Sequence, residues 1–135
     1  RHLDEISAFF DMPRGNFGYI EDEDQYQTLL ASCHVALSTA KHDFQGLSVQ
    51  QACLAGCQAA VPDDLVYPEY VPPQLRYQTC KDCRQTAAAA VSLLRHIRRK
   101  LEDGAWSKID LSAYLGPDLL NRYRDLFLSL INNPS

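Results

Sequence analysis

Residues Val35–Pro68 read VALSTAKHDFQGLSVQQACLAGCQAAVPDDLVYP. The apolar triplet Val35-Ala36-Leu37 predicts a short buried strand. A polar turn carrying Gly46 follows, then a helix over Leu47–Ala55 built from small residues and stopped by Gly56. Gln58–Val61 predicts a second strand, ended by Pro62. Where a strand feeds a glycine-bearing turn that opens a helix, unpaired backbone N–H groups and the positive end of the helix dipole face the same way. That is a place for an anion, so the turn nominates a phosphate or nucleotide binder.

Upstream, Leu3, Ile6, Phe9 and Phe10 share one helical face, broken near Pro13-Arg14-Gly15, and Phe17–Ile20 is a strand candidate. Glu21–Asp24 suits a helix start, with Tyr26, Leu29, Leu30 and Cys33 following at helical spacing. The order helix, strand, helix, strand, helix, strand predicts a parallel sheet with crossover helices. Downstream come a loop bearing Pro62, Pro68, Pro72 and Pro73, then two amphipathic helices. The first aligns Ala87, Ala90, Val91, Leu94, Ile97 and Leu101. The second aligns Leu119, Leu120, Tyr123, Leu126, Phe127, Leu130 and Ile131, with Pro117 at its first turn, and Tyr123 and Phe127 read as core. Three short strands make a narrow sheet for a complete doubly wound domain. With Arg1 in place of Met, this suggests a carboxy-terminal fragment.

The 135 residues, 46% hydrophobic and 22% charged, describe an ordinary globular chain. A net charge of -4 argues against a dedicated nucleic-acid domain. No apolar run reaches the roughly 20 residues that span a bilayer, and RHLDEISAFFD lacks signal-peptide anatomy. Cys33, Cys53, Cys57, Cys80 and Cys83 read as reduced thiols, the first three as small buried hydrophobes, which suits a cytoplasmic protein. Cys80-Lys81-Asp82-Cys83 has zinc or redox spacing, but a closed zinc site needs further ligands, so no metal is expected. The basic run Arg95–Lys100 reads as a solvated helix face.

Within the turn, Asp43 stands at the carboxyl end of the strand region, where open parallel sheets take ligands. Gly46 permits close approach, and the N–H groups of Gly46, Leu47 and Ser48 are available to a diphosphate. Gln51 lies close enough on the helix to reach a ribose. His42 either touches the ligand or packs at the turn. The plainer alternative is a strand-to-helix turn capped by Asp43 or Ser48.

The segment from Phe17 to Pro72 resembles the carboxy-terminal domain of group 1, GT-B-type glycosyltransferases, and within them the tRNA-queuosine α-mannosyltransferase branch. The resemblance rests on Ser38-Thr39-Ala40, His42-Asp43-Phe44, Gly46-Leu47-Ser48-Val49, Ala52, Ala55-Gly56 and Tyr67-Pro68-Glu69. It implies an α/β, Rossmann-like half-domain over residues 1–116, with helix 117–135 packing on it or on a missing amino-terminal domain. It also implies retaining transfer of a hexose from a nucleotide-sugar, with GDP-mannose favoured, to an acceptor such as queuosine-modified tRNA. No cofactor or metal is implied.

Donor-binding positions carried over are Phe44, Gln45, Gly46, Leu47, Ser48 and Gln51, with Asp43 and His42 at the catalytic positions and Glu69 in a positioning role. The family places glutamates where Asp43 and Gln51 stand. Asp43 keeps the charge on a shorter arm. Gln51 keeps an acceptor oxygen but loses the charge-assisted bond, about twice as strong as a neutral one. The site is weakened, altered in sugar choice, or given over to a silent binding role.

Overall fold

The computed structural model describes residues 18–106, 108–114 and 116–132. The helix expected over Leu3–Phe10 and its break near Pro13 lie outside the described residues. Helix α1, Glu23–Ser32, begins where the acidic run suggests. Asp22 caps it, its carboxylate accepting the Gln25 N–H at 2.8 Å. Strand β1, Val35–Leu37, helix α2, Leu47–Leu54, and strand β2, Gln58–Pro62, form one parallel βαβ unit with Val35 opposite Gln58 and Leu37 opposite Ala60.

The third strand is not the one the sequence suggests. Residues 18–20 form no strand: Gly18 has φ +105, Tyr19 is 90% exposed, and among the described residues no strand pairs with them; Phe17 lies outside the described residues. Strand β3 is instead Arg76–Tyr77, parallel to β2 through Val61–Arg76 and Pro62–Tyr77. The proline-rich connection reaches it through two 3-10 turns, Tyr67–Glu69 and Pro73–Leu75, with no helix between. Each turn carries a proline in its opening positions, where the fixed φ and missing N–H do no harm. The sheet order is β1-β2-β3.

Central β2 is buried along its whole length, and Ala59 and Ala60 let α2 pack tightly against it. Helix α3, Cys83–Glu102, contacts β2 and β3. Ala90 and Ile97 are buried, with Leu93, Leu94 and Leu101 packed against the core. Ala87 and Val91, expected in that stripe, are exposed, while Leu93 joins it. Full burial of side chains such as Val61 and Ile97 stabilises by about 1.5–3 kcal/mol each. The basic run of α3 behaves as expected: Arg95, His96, Arg98, Arg99 and Lys100 face solvent around buried Ile97, and Arg98 pairs with Glu102 at 2.9 Å.

Three further expectations need correction. Strand β1 is half-buried at Val35 and Ala36 and exposed at Leu37, because β1 lies at the sheet edge. Cys33 is exposed, since it caps the end of α1 rather than facing the sheet. Helix α4, Gly116–Asn132, leaves Leu120, Tyr123, Leu126, Phe127 and Ile131 half or more exposed, so Tyr123 and Phe127 are not core. The helix lies chiefly against the Ser112–Tyr114 turn. Among the described residues no helix is long and apolar enough to cross a membrane.

Candidate functional site

The turn between β1 and α2 is organised around Asp43. Its Oδ1 accepts the Gly46 N–H at 2.7 Å and the Gln45 N–H at 3.3 Å, while its Oδ2 accepts the Tyr67 hydroxyl at 2.8 Å. These bonds hold the carboxyl below its usual range. The Tyr67 bond contributes most, then the Gly46 N–H, with burial opposing and the Gln45 N–H adding a little. An ionised carboxylate offers about four acceptor positions, of which three are taken.

The Gly46 N–H is thus not available to a ligand, contrary to the expectation for it. Asp43 takes that N–H just ahead of the helix, without capping the helix itself. Leu47 and Ser48 differ: α2 begins after Gly46, which supplies no side-chain cap. The first N–H groups of α2 therefore remain oriented outward with the helix dipole behind them.

Three tyrosines hold this turn, and sequence reasoning did not find their role. The single Tyr67 proton goes to Asp43, so the Ser38 hydroxyl, 2.7 Å away, must donate to Tyr67. The Tyr77 hydroxyl donates to the Ser38 carbonyl at 2.7 Å, and the Tyr70 hydroxyl donates to the Gly46 carbonyl at 3.2 Å. Burial pushes all three phenols up, with the Asp43 charge adding to the effect on Tyr67 and Tyr70. They stay protonated donors at neutral pH. Gly46 sits at φ +66, where a Cβ would run into the Tyr70 hydroxyl, so glycine is demanded twice over. Ser38 and Tyr67 stand inside the motif that carries the resemblance, and that was their only signal. Contacts of such long sequence separation leave no periodicity to read.

His42, Asp43, Phe44 and Glu69 line one shallow depression of about 330 Å³ together with Leu65 and Val66. Asp43, Phe44, Gln45, Leu47 and Ser48 line an adjoining one of about 480 Å³. Seven of the nine expected site residues therefore line these two depressions, and Gly46 lies in the turn between them in sequence. Gln51 does not line either depression; its amide oxygen accepts the Tyr26 hydroxyl of α1 at 3.3 Å. Phe44, 93% exposed, is an apolar side chain that lines both depressions.

Leu65, at φ +59, also borders a deeper cleft of about 440 Å³ at the carboxyl ends of all three strands. Thr39, Lys41, Pro62, Asp64, Tyr77 and the start of α3 form its other walls. A smaller pocket, lined by Gln58, His96 and Lys100 among others, opens at the opposite end of β2.

All five cysteines are free thiols. Burial pushes Cys53 up to about 11 and raises Cys57, which keeps both inert near neutral pH. Among the described residues no group of three or more His, Cys, Asp or Glu side chains could hold a metal ion.

No protein-family model matches the chain, and no solved structure matches it. Over 112 residues it is 30% identical to a tRNA-queuosine alpha-mannosyltransferase from Drosophila melanogaster, in an alignment covering 83% of this chain and 29% of that protein. The chain thus spans less than a third of that relative's length. The relationship suggested by the Ser38–Glu69 motif is met by this alignment, and the parallel sheet with flanking helices fits a Rossmann-like GT-B fragment.

Proposed function

We propose that this chain, a relative of the tRNA-queuosine alpha-mannosyltransferase, forms the donor-binding part of a retaining glycosyltransferase. The donor is a nucleotide-sugar carrying a hexose: the relative's name favours mannose, and we take GDP-mannose as its carrier. The acceptor is a hydroxyl on a molecule such as queuosine-modified tRNA, held by parts of the relative's length to which this chain does not align. One observation carries the reading: His42, Asp43, Phe44 and Glu69 converge beside the uncapped start of α2 in a chain with this kinship.

The roles follow from charge. As the bond from the anomeric carbon to the diphosphate breaks, negative charge builds on the leaving oxygens. The Leu47 and Ser48 N–H groups and the helix dipole stabilise it without reorganisation. An ionised Asp43 repels that diphosphate but can accept a sugar hydroxyl through its remaining acceptor position. It therefore belongs on the sugar side, with His42, while Glu69 orients the sugar from across the depression. Phe44 covers the donor and excludes water. Gln51 faces the ribose once its bond to Tyr26 opens.

Calorimetric titration of the full open reading frame with GDP-mannose, UDP-glucose and ADP-glucose tests the reading. Selective heat from one donor supports it; no heat from any, with a folded protein, overturns it. A specific observation favours a second reading, a catalytically silent nucleotide-binding or interaction domain: Asp43 and Gln51 already spend acceptor positions on Tyr67, Gly46 and Tyr26. Gln51→Glu decides between them. A weakened donor site gains about tenfold in affinity from the restored charge-assisted bond, whereas a repurposed domain gains nothing.

A further inference from the structure

The cleft at the carboxyl ends of the strands carries two thiols for which donor binding has no use. Cys80 and Cys83 are both exposed and both line it, on either side of a bend at Lys81. Cys83 opens α3, and the loop bearing Cys80 is tied down against the same helix. The Thr86 hydroxyl receives the Cys80 N–H at 3.1 Å and lies 3.2 Å from the Cys80 carbonyl, to which it donates. The Cys80 sulfur rests over the first turn of α3, 3.2 Å from the Asp82 carbonyl and 3.6 Å from the Thr86 hydroxyl.

We infer that Cys80 and Cys83 form a redox-active dithiol that closes to an intramolecular disulfide on the wall of this cleft. A disulfide needs Cα atoms about 4.4–6.8 Å apart, and Cys80 and Cys83 stand only three residues apart across the bend at Lys81. Thr86 holds the backbone on one side of the bend and α3 on the other, so both thiols are presented to the same cleft. Elsewhere in the fold the thiols are less suited. Cys53 and Cys57 are buried, and Cys33 lies on the end of α1 away from this cleft.

The oxidant is a small disulfide of the glutathione class. One thiol of the pair loses its proton and attacks a glutathione sulfur. It forms a mixed disulfide and expels one glutathione as thiolate. The second thiol, also deprotonated, attacks the protein sulfur of that mixed disulfide and expels the second glutathione. Two protein thiols give up two electrons and two protons, and one glutathione disulfide becomes two glutathione molecules. The inference holds whether or not a nucleotide-sugar binds in the neighbouring depressions.

Equilibration of the native protein with glutathione disulfide, alkylation of remaining thiols and peptide mass spectrometry provide the test. The expected product is a Cys80–Cys83 linked peptide lighter by two hydrogens, reversed by dithiothreitol, with Cys33 alkylated. In Cys83→Ser the resolving thiol is gone, and a stable glutathione adduct accumulates on Cys80. Alkylation of both Cys80 and Cys83 after equilibration overturns the inference. A stable single glutathione adduct in the unsubstituted protein overturns it equally.

Discussion

Gly46→Ala should be among the most damaging single-methyl additions to this fold. Two effects act together. Gly46 holds φ +66, where an L-residue costs about 1–2 kcal/mol. The new Cβ also overlaps the Tyr70 hydroxyl and lies 3.2 Å from Tyr67 Cε1 and 3.3 Å from Tyr70 Cζ. Tyr70 cannot swing aside easily. It is 7% exposed and edge-on to both Tyr67, at 6.2 Å between centroids, and Tyr114, at 5.8 Å. Overpacking of this kind costs about 1–3 kcal/mol, and loss of the Tyr70 bond to the Gly46 carbonyl adds about 1 kcal/mol. The total, about 3–6 kcal/mol, is a large share of a typical small domain's stability.

Gly104 provides the control: it has φ +69 with open space around its Cβ direction, so Gly104→Ala isolates the backbone cost. Urea unfolding followed by circular dichroism should place the Gly46→Ala midpoint about 1 M or more below that of Gly104→Ala, given slopes of about 1–3 kcal/mol per molar. Adding Tyr70→Phe, which removes the obstructing oxygen, should cost less in the Gly46→Ala background than in the unsubstituted protein. Equal midpoints for the two alanine variants, with no coupling to Tyr70, would refute the packing argument.

The other expectations concern the same turn and the last helix. Asp43 has a carboxyl held below its ordinary 3.8 in the folded chain, so its stabilising contribution is complete above about pH 4. It is lost as pH falls through the folded value; Asp43→Asn should therefore flatten the loss of stability in acid urea titrations. Tyr67→Phe strands the Asp43 Oδ2 and the Ser38 hydroxyl and should cost about 1–3 kcal/mol. It should also raise the Asp43 carboxyl, measurable by carbon-detected NMR titration. Phe127→Glu should change the unfolding free energy by less than about 0.5 kcal/mol, because Phe127 is 60% exposed. A cost near the roughly 3–5 kcal/mol of a core Phe truncation would show that the side chain is buried after all.

Much of the architecture could be read locally. The β1–α2–β2 unit follows from an apolar triplet, a glycine turn, a small-residue helix stopped at Gly56 and a second apolar run, each a property of neighbours in the chain. The clustering of His42, Asp43, Phe44 and Glu69 came from the motif, not from periodicity, and Gln51 lay too far along α2 for spacing to say which way it turns.

Tertiary structure decided what depended on partners distant in sequence. Arg76–Tyr77 is too short to announce itself as a strand and exists because β2 presents an edge for it. The stripe of α4 shows that a face is apolar, but not what lies opposite it. Asp43 could be recognised as a candidate cap or ligand from its position alone. Only the arrival of Tyr67 from beyond β2 determined that one of its oxygens is bound by a phenol, because hydrogen bonding depends on distance in space and not along the chain.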